Sequence, residues 1–478
     1  MDRAELAAAL IASRRDLDRA ATPAYGKAEA EGGCGVIGIA ASVPIAGRHL
    51  LPALGQMRNR GNGKGGGIAA AGLAPDFFGL APETLETDYL LAIAYLDPAA
   101  RSALEAGFIE PVFRVDHTCC LPELGDCQRQ RGLEVRPPEV ICYFVRARPD
   151  ALDAFLERHR ITPERRDEAE DELVYQNSYR LNRAMYAATG EKRAFVLSHG
   201  KNLLVLKMVG YGDDVIRCYR LEDLRAHVWI GHHRYPTKGK VWHPGGAHPF
   251  VGLHEALVHN GDFANYASLC AYLAQRRIYP QFLTDTEVAV LLFDLLHRTY
   301  GYPLEYVIEA LAPTMERDLA LLPPQRRQVY TLLQATHIHG SPDGPWFFLI
   351  AQSDPRRRAC RLIGITDTSM LRPQVFALQR GAVSAGFAAS EKQAIDAALE
   401  SLSQEDGRFW SRADLYWNAR GGSHTDGGAF IFSVTRDGQG EATEATLVCT
   451  NKFGQRIEPD PSKRPLPAGR NAAALSAA

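Results

Sequence analysis

The chain's strand-like segments are short, β-branched and grouped in blocks, which most narrows the folds open to it. Cys34-Gly35-Val36-Ile37-Gly38-Ile39-Ala40-Ala41 reads as a buried strand, and similar runs follow at Ala194–Leu197, Leu203–Val209, Val228–Ile230, Trp346–Ala351, Leu362–Ile365, Ala429–Val434 and Thr446–Cys449. Helix-like stretches at Asp150–Arg160, Glu287–Arg298, Tyr306–Leu311 and Glu391–Leu402 fall between the blocks and do not alternate with single strands. Such grouping predicts α+β layers over a parallel doubly wound sheet. No apolar run approaches the roughly 18 residues a membrane helix needs. Lys+Arg 54 against Asp+Glu 56 leaves a net charge of -2, so nothing in the charge calls for nucleic acid or an anionic membrane. With no secretory or transit signature at the N-terminus, the reading is a cytoplasmic protein.

Nine cysteines in 478 residues are too sparse and irregular for a disulfide scaffold, and most read as free thiols. The cluster Cys119, Cys120 and Cys127 lacks paired C-x2-C spacing and reads as buried and apolar rather than metal-binding. Six histidines between His232 and His259 lack H-E-x-x-H spacing and read as structural or substrate-side, so no metal is expected. Arg60-Gly61-Asn62-Gly63-Lys64-Gly65-Gly66-Gly67 is glycine-rich, but no Ser or Thr follows Lys64, and a helix-like segment precedes it. It reads as a loop whose glycines let backbone pass close to another segment, not as a nucleotide cradle.

Three distant segments carry residue types that make chemical sense together. Gly33-Cys34-Gly35 leaves a thiol sterically open at a strand start, as a nucleophile requires; a small buried hydrophobe is the plain alternative. Gly231-His232-His233-Arg234-Tyr235-Pro236-Thr237 ends a buried strand with an Arg able to grip a carboxylate or pair with a structural acid. Val258-His259-Asn260-Gly261-Asp262-Phe263-Ala264-Asn265 is a tight-turn signal that can also aim an amide and a backbone N–H at one point.

In this order the segments resemble the class II glutamine amidotransferases, members of the N-terminal-nucleophile hydrolases. Ala247-His248-Pro249-Phe250 and Thr284-Asp285-Thr286-Glu287 stand where that family shows Ala-Gln-Pro-Phe and Ser-Asp-Ser/Thr-Glu; Asn59 stands where a His commonly precedes Arg-Gly. The long stretch between Cys34 and Arg234, with Gly344-Pro345-Trp346-Phe347-Phe348, Leu371-Arg372-Pro373-Gln374 and Ala389-Ser390-Glu391-Lys392-Gln393-Ala394, resembles the stand-alone glutaminase subunit of glutamate synthase. The resemblance covers about Cys34 to Lys452.

The resemblance implies a four-layer αββα sandwich with large insertions, spanning residues 34–458, with a propeptide at 1–33 and a disordered tail at 459–478. It implies Cys34 as nucleophile with its own α-amine as base, and Asn260 and Gly261 as the oxyanion hole. Arg234 and Asp285 would bind the glutamine α-carboxylate and α-ammonium, and Thr237 would add a hydroxyl. Because Met1 is the only Met before Cys34, exposing that amine requires cutting Gly33–Cys34. Thr284-x-x-Glu287 also reads as a capping box opening an apolar helix. No second catalytic domain is recognisable, so no cofactor is expected on this chain. Ammonia is expected to pass to a synthase or ligase subunit, flavin-bearing if it is of the glutamate-synthase kind. Two other readings compete: a catalytically silent regulatory subunit that binds glutamine, and an amidase of the same hydrolase class acting on another amide.

Overall fold

The computed structural model describes residues 1–14, 33–122, 125–187, 190–234, 243–372, 374–436 and 445–459. Its frame is two antiparallel sheets. The first has seven strands, in the order 415–417, 375–380, 384–389, 35–46, 225–233, 66–73 and 203–208. The second has six, in the order 445–451, 429–436, 359–366, 346–354, 255–261 and 250–251.

The alternation of small and β-branched residues explains how the sheets meet. Val36 and Ala40 on the Gly35–Ala46 strand, with Val228 and Ile230 beside them, face Ala256, Val258, Phe347, Leu349 and Leu362 of the second sheet in one buried cluster. Small residues stand where the approach is closest. A Cβ on Gly38 would lie 2.5 Å from Leu362 Cδ1, and one on Gly386 would lie 2.1 Å from Phe432 Cδ1.

The opposite faces carry helices. Ile37, Ile39 and Trp229 join Leu54, Ile216 and Leu399, from the helices Leu50–Gln56, Gly212–Cys218 and Lys392–Glu405, in a second cluster. On the far side, Leu257, Phe348 and Ile350 pack with Leu269, Leu292 and Val288 of the helices Tyr266–Ala274 and Asp285–Asp294.

The long stretch before Arg234 builds a third, four-stranded sheet in the order 113–120, 139–147, 89–95 and 194–198. The 20-residue helix Arg166–Met185 packs on it. The expected apolar runs fall within strands except for Cys34 and Val209 at their ends, but the strands at 66–73, 89–95, 113–120, 139–147, 375–380 and 384–389 were not anticipated.

Seven cysteines are free, and Cys127 and Cys218 are joined across a sequence separation of 91. That bond departs from the free-thiol reading for this pair, and Cys120 is exposed rather than buried. Within the expected propeptide, the helix Arg3–Ser13 buries Leu6 and Leu10 against the body. The expected tail from 460 onward lies outside the described residues. No helix among the described residues is long and apolar enough to cross a membrane.

Candidate active site

The nucleophile candidate sits one residue before the centre of the first sheet. Gly35 pairs with His233 on one side, and Ile37 pairs with Ala389 on the other. A Cβ on Gly35 would lie 3.0 Å from Met57 Cβ and 3.3 Å from the Met57 carbonyl, tighter than ordinary packing. The short helix that ends at Met57 thus packs directly behind Cys34, which is buried at 7% exposure.

The second sheet brings Asn260 and Gly261 to the same end. They close the strand Glu255–Gly261, where Asn260 pairs with Phe347 and Gly261 with Trp346. Gly261 adopts φ 151° and lies so close to Pro345 that a Cβ would fall 2.2 Å from its carbonyl oxygen. Only glycine fits that crossing. Asn260 is fully buried. A side-chain position at Gly33 would lie 3.4 Å from Asn260 Oδ1, 3.2 Å from Arg60 Nη1 and 3.8 Å from Arg372 Nη1. The residue before Cys34 therefore rests against the Asn260 carboxamide, between two guanidinium groups.

Ser390 ties these parts together, and sequence reasoning gave it no role. Its hydroxyl lies 3.3 Å from the Cys34 carbonyl, accepts from the Val36 N–H at 3.2 Å and meets Asn260 Nδ2 at 3.4 Å. Its own N–H donates to Val36 O at 2.9 Å. Next to it, Glu391 pairs with Arg60. The only hint in the sequence was the Ala-Ser-Glu segment, recognisable as a motif but silent about contacts.

Arg234 follows the strand Arg225–His233 and is buried at 7% exposure. Its N–H donates to Gly65 O at 2.9 Å, and its carbonyl accepts from Asn62 N at 3.3 Å. The glycine-rich loop is thus its backbone clamp. A Cβ on Gly65 would lie 3.1 Å from Arg234 Cδ, and one on Gly67 would lie 2.1 Å from His248 O. Burial lowers the Arg234 pKa from its ordinary value, while charge on Cys34 and Asp285 pulls it back up. The three side chains accordingly share one electrostatic environment. Thr237 lies outside the described residues.

Asp285 opens its helix, buried at 5% exposure. The expected capping box is half formed. Thr284 accepts from Glu287 N at 3.2 Å, but the Glu287 carboxylate does not return to the cap. It accepts instead from the N–H groups of Gln281, Phe282 and Leu283 at 2.6, 2.8 and 3.0 Å, fastening the preceding turn. Burial raises Glu287 to about 7, and burial lowers Lys207 to about 7. The Lys207 ammonium donates to Gly245 O at 3.2 Å and lies 3.7 Å from the centre of the Phe250 ring.

Three of the clustered histidines stack behind the site. His248 lies between His232, at 4.4 Å ring to ring, and His259, at 5.7 Å. The Thr286 hydroxyl meets His259 Nδ1 at 2.6 Å and His248 Nε2 at 3.0 Å. His259 Nε2 is 3.7 Å from Asp285. Burial holds His232 and His248 well below the ordinary imidazole range, so these two rings are neutral. The others serve elsewhere: His233 meets Leu54 O, His243 accepts from Gly245 N, and His254 meets Asp171. Among the described residues, no group of three or more His, Cys, Asp or Glu is placed to hold a metal ion.

With this geometry in place, comparisons with known proteins become informative. No protein-family model matches the chain. An uncharacterized protein of Archaeoglobus fulgidus is 29% identical over 372 residues, covering 77% of this chain and 88% of that protein. A glutamine–fructose-6-phosphate aminotransferase (isomerizing) of Aeropyrum pernix is 36% identical over 125 residues, covering 26% of this chain and 20% of the enzyme. Its counterpart in Chlamydia muridarum is 40% identical over 81 residues, 16% of this chain and 13% of the enzyme.

Part of the chain is thus similar to glutamine–fructose-6-phosphate aminotransferases. It spans a fifth or less of these two aminotransferases. A solved glutamine phosphoribosylpyrophosphate amidotransferase from B. subtilis, complexed with ADP and GMP, aligns at 19% identity with a TM-score of 0.30, covering 51% of this chain and 40% of that one.

Proposed function

We propose that this amidotransferase-like chain hydrolyses glutamine to glutamate and ammonia through a thioester on Cys34. The observation that carries the reading is the Ser390 bridge, which fastens the Cys34 carbonyl and the Asn260 carboxamide to one hydroxyl. Helices on the outer faces of two stacked sheets support assigning the four-layer αββα sandwich of the N-terminal-nucleophile hydrolases.

Hydrolysis of Gly33–Cys34 comes first: water adds across the amide, Gly33 keeps the oxygen as a carboxylate, and Cys34 gains a free α-amine. With an ordinary pKa of about 7.7–8.0, that amine can take the thiol proton near neutral pH. Sγ then attacks the side-chain carbonyl of glutamine. The C–N bond breaks, ammonia leaves with the transferred proton, and water hydrolyses the thioester to glutamate. Asn260 Nδ2 and Gly261 N–H are the donors for the oxyanion. One Nδ2 proton of Asn260 bonds the Ser390 hydroxyl, which leaves the second for the oxyanion. Arg234 and Asp285 bind the α-carboxylate and α-ammonium, and Thr237 adds a hydroxyl. The chain needs no cofactor for these steps, is cytoplasmic, and hands ammonia to a glutamate-synthase-like or other synthase or ligase subunit.

The test is ammonia release from glutamine by the wild type and by Cys34→Ala, together with N-terminal sequencing. Release by wild type alone, with Cys34 as first residue, supports the reading. Equal release by both proteins, or full activity with Met1 still attached, sinks it.

One observation favours a second reading. Gly33 rests against Asn260, so an uncut chain keeps its own backbone beside the oxyanion donors. A form that is never cleaved is then a silent regulatory subunit, and failure to release ammonia alongside an intact N-terminus selects it.

A further inference from the structure

The segment upstream of Cys34 is built into the body by contacts that cleavage would not break. Its helix Arg3–Ser13 begins with a reciprocal cap between Asp2 and Glu5. Leu6 and Leu10 bury into a cluster with Leu152, Phe155, Leu156 and Leu173, side chains of the helices Pro149–His159 and Arg166–Met185. One turn later Ser13 and Arg14 are both fully buried.

Arg14 completes a row of alternating charges. Its Nε and Nη2 donate to Glu172 at 2.7 and 3.0 Å, and Nη2 reaches Thr299 at 3.4 Å. Glu172 also accepts from Arg298 at 2.9 Å, and Arg298 forks onto Asp294 at 2.7 and 2.6 Å. Two guanidinium groups and two carboxylates balance only while Arg14 is present. Without it, the buried carboxylates of Glu172 and Asp294 share one cation, beside Glu255, whose carboxyl burial already holds far above the ordinary range. At the other end of the segment, Arg165 donates to the Met1 carbonyl at 3.1 Å, and Arg3 forms one wall of a cavity of about 810 Å³. That cavity is also lined by Glu255 and Gln352, at the opposite end of the second sheet from Asn260.

We propose that residues 1–14 stay docked after Gly33–Cys34 is cut, so the mature protein is a complex of two polypeptides from one gene product, 1–33 and 34–478. The surface formed by these two helices and the Arg298 turn is thus a binding site for the chain's own leader peptide. The proposal rests on the cleavage reading, and the experiment separates the two.

The purified full chain is passed through gel filtration, and its peak is weighed under native and denaturing conditions. The expected result is a native mass of the whole chain plus one water, resolving under denaturing conditions into fragments 1–33 and 34–478. Loss of the 1–33 peptide on the column overturns the proposal and leaves cleavage standing. A single uncut chain under denaturing conditions overturns the cleavage reading instead. In that case a protease recognition sequence inserted between residues 14 and 33 supplies the cut, and co-elution or loss of the peptide decides the proposal. In cut protein, Leu6→Asp with Leu10→Asp should turn co-elution into loss, whereas the peptide staying bound in that variant overturns docking through this helix. Arg14→Met should lower the thermal midpoint by on the order of 5 °C, with partial recovery in Arg14→Lys; an unchanged midpoint overturns the role given to the buried charge row.

Discussion

Asn260 Nδ2 and Ser390 Oγ lie 3.4 Å apart, joining the end of one sheet to the segment that leaves the other. Because the same hydroxyl meets the Cys34 carbonyl, Ser390 holds Cys34 and Asn260, the proposed nucleophile and oxyanion donor, in register. Ser390→Ala is expected to lower kcat by about 10- to 100-fold with little change in KM, the size of effect that a misplacement of about 1 Å produces. Ser390→Thr keeps the hydroxyl and should recover most of the rate. Steady-state kinetics of the two variants check this, and a KM effect alone would count against it.

On the proposed mechanism, Asn260→Ala removes a donor that acts mainly on the developing negative charge. The expected loss is about 100- to 1,000-fold in kcat, while glutamine binding measured calorimetrically in Cys34→Ala stays within a few-fold after adding the second change.

Lys207 and Glu287 make stability depend on pH in opposite senses. Glu287 titrates at about 7 in the folded chain, above its ordinary 4.5, so between those values the folded state holds a proton the unfolded chain has lost. Stability from this group therefore falls as pH rises from 4.5 to 7. Lys207 titrates at about 7, below its ordinary 10.5, so from 7 upward the unfolded chain holds the extra proton, and stability rises with pH. Urea unfolding of the wild type from pH 5 to about 9.5 should show a shallow minimum near 7. The double variant Lys207→Met, Glu287→Gln should lack that minimum.

Gly67 and Gly55 should respond in opposite ways to alanine. A Cβ at Gly67 would lie 2.1 Å from His248 O and 2.7 Å from Leu206 O, so the backbone must shift, at a cost of about 1–3 kcal/mol or more. At Gly55, inside the helix Leu50–Gln56, nothing lies within 4 Å, and alanine should stabilise by roughly 0.5–1 kcal/mol. Thermal unfolding of the two single variants decides this.

Most strands with β-branched apolar runs were legible because burial on a sheet selects those residues, although Glu139–Ala147 carries such a run and was missed. The strands Gly66–Leu73 and Ser384–Ala389 were not legible, because glycine, alanine and serine dominate them. Their smallness has a tertiary cause, as with Gly386 against Phe432, and no local pattern carries that information. The site shows the same division. Cys34, Arg234, Asn260 and Asp285 could be named from motif order. Ser390 could not, because a serine just before a helix reads as a cap, whereas its hydroxyl turns to a neighbouring strand. Arg14 was hidden for a similar reason, as its partner Glu172 lies 158 residues away.

The strand that follows Cys34 lies between partners made much later: Arg225–His233 on one side and Ser384–Ala389 on the other. During synthesis from the N-terminus, the would-be nucleophile emerges early and waits. Neither Asn260 nor Ser390 exists until more than half of the chain, and then most of it, has left the ribosome. Long-range pairing of this kind forms late, after its loop-closure entropy has been overcome. A chain stopped before Ser390 therefore lacks the hydroxyl that joins Cys34 to Asn260.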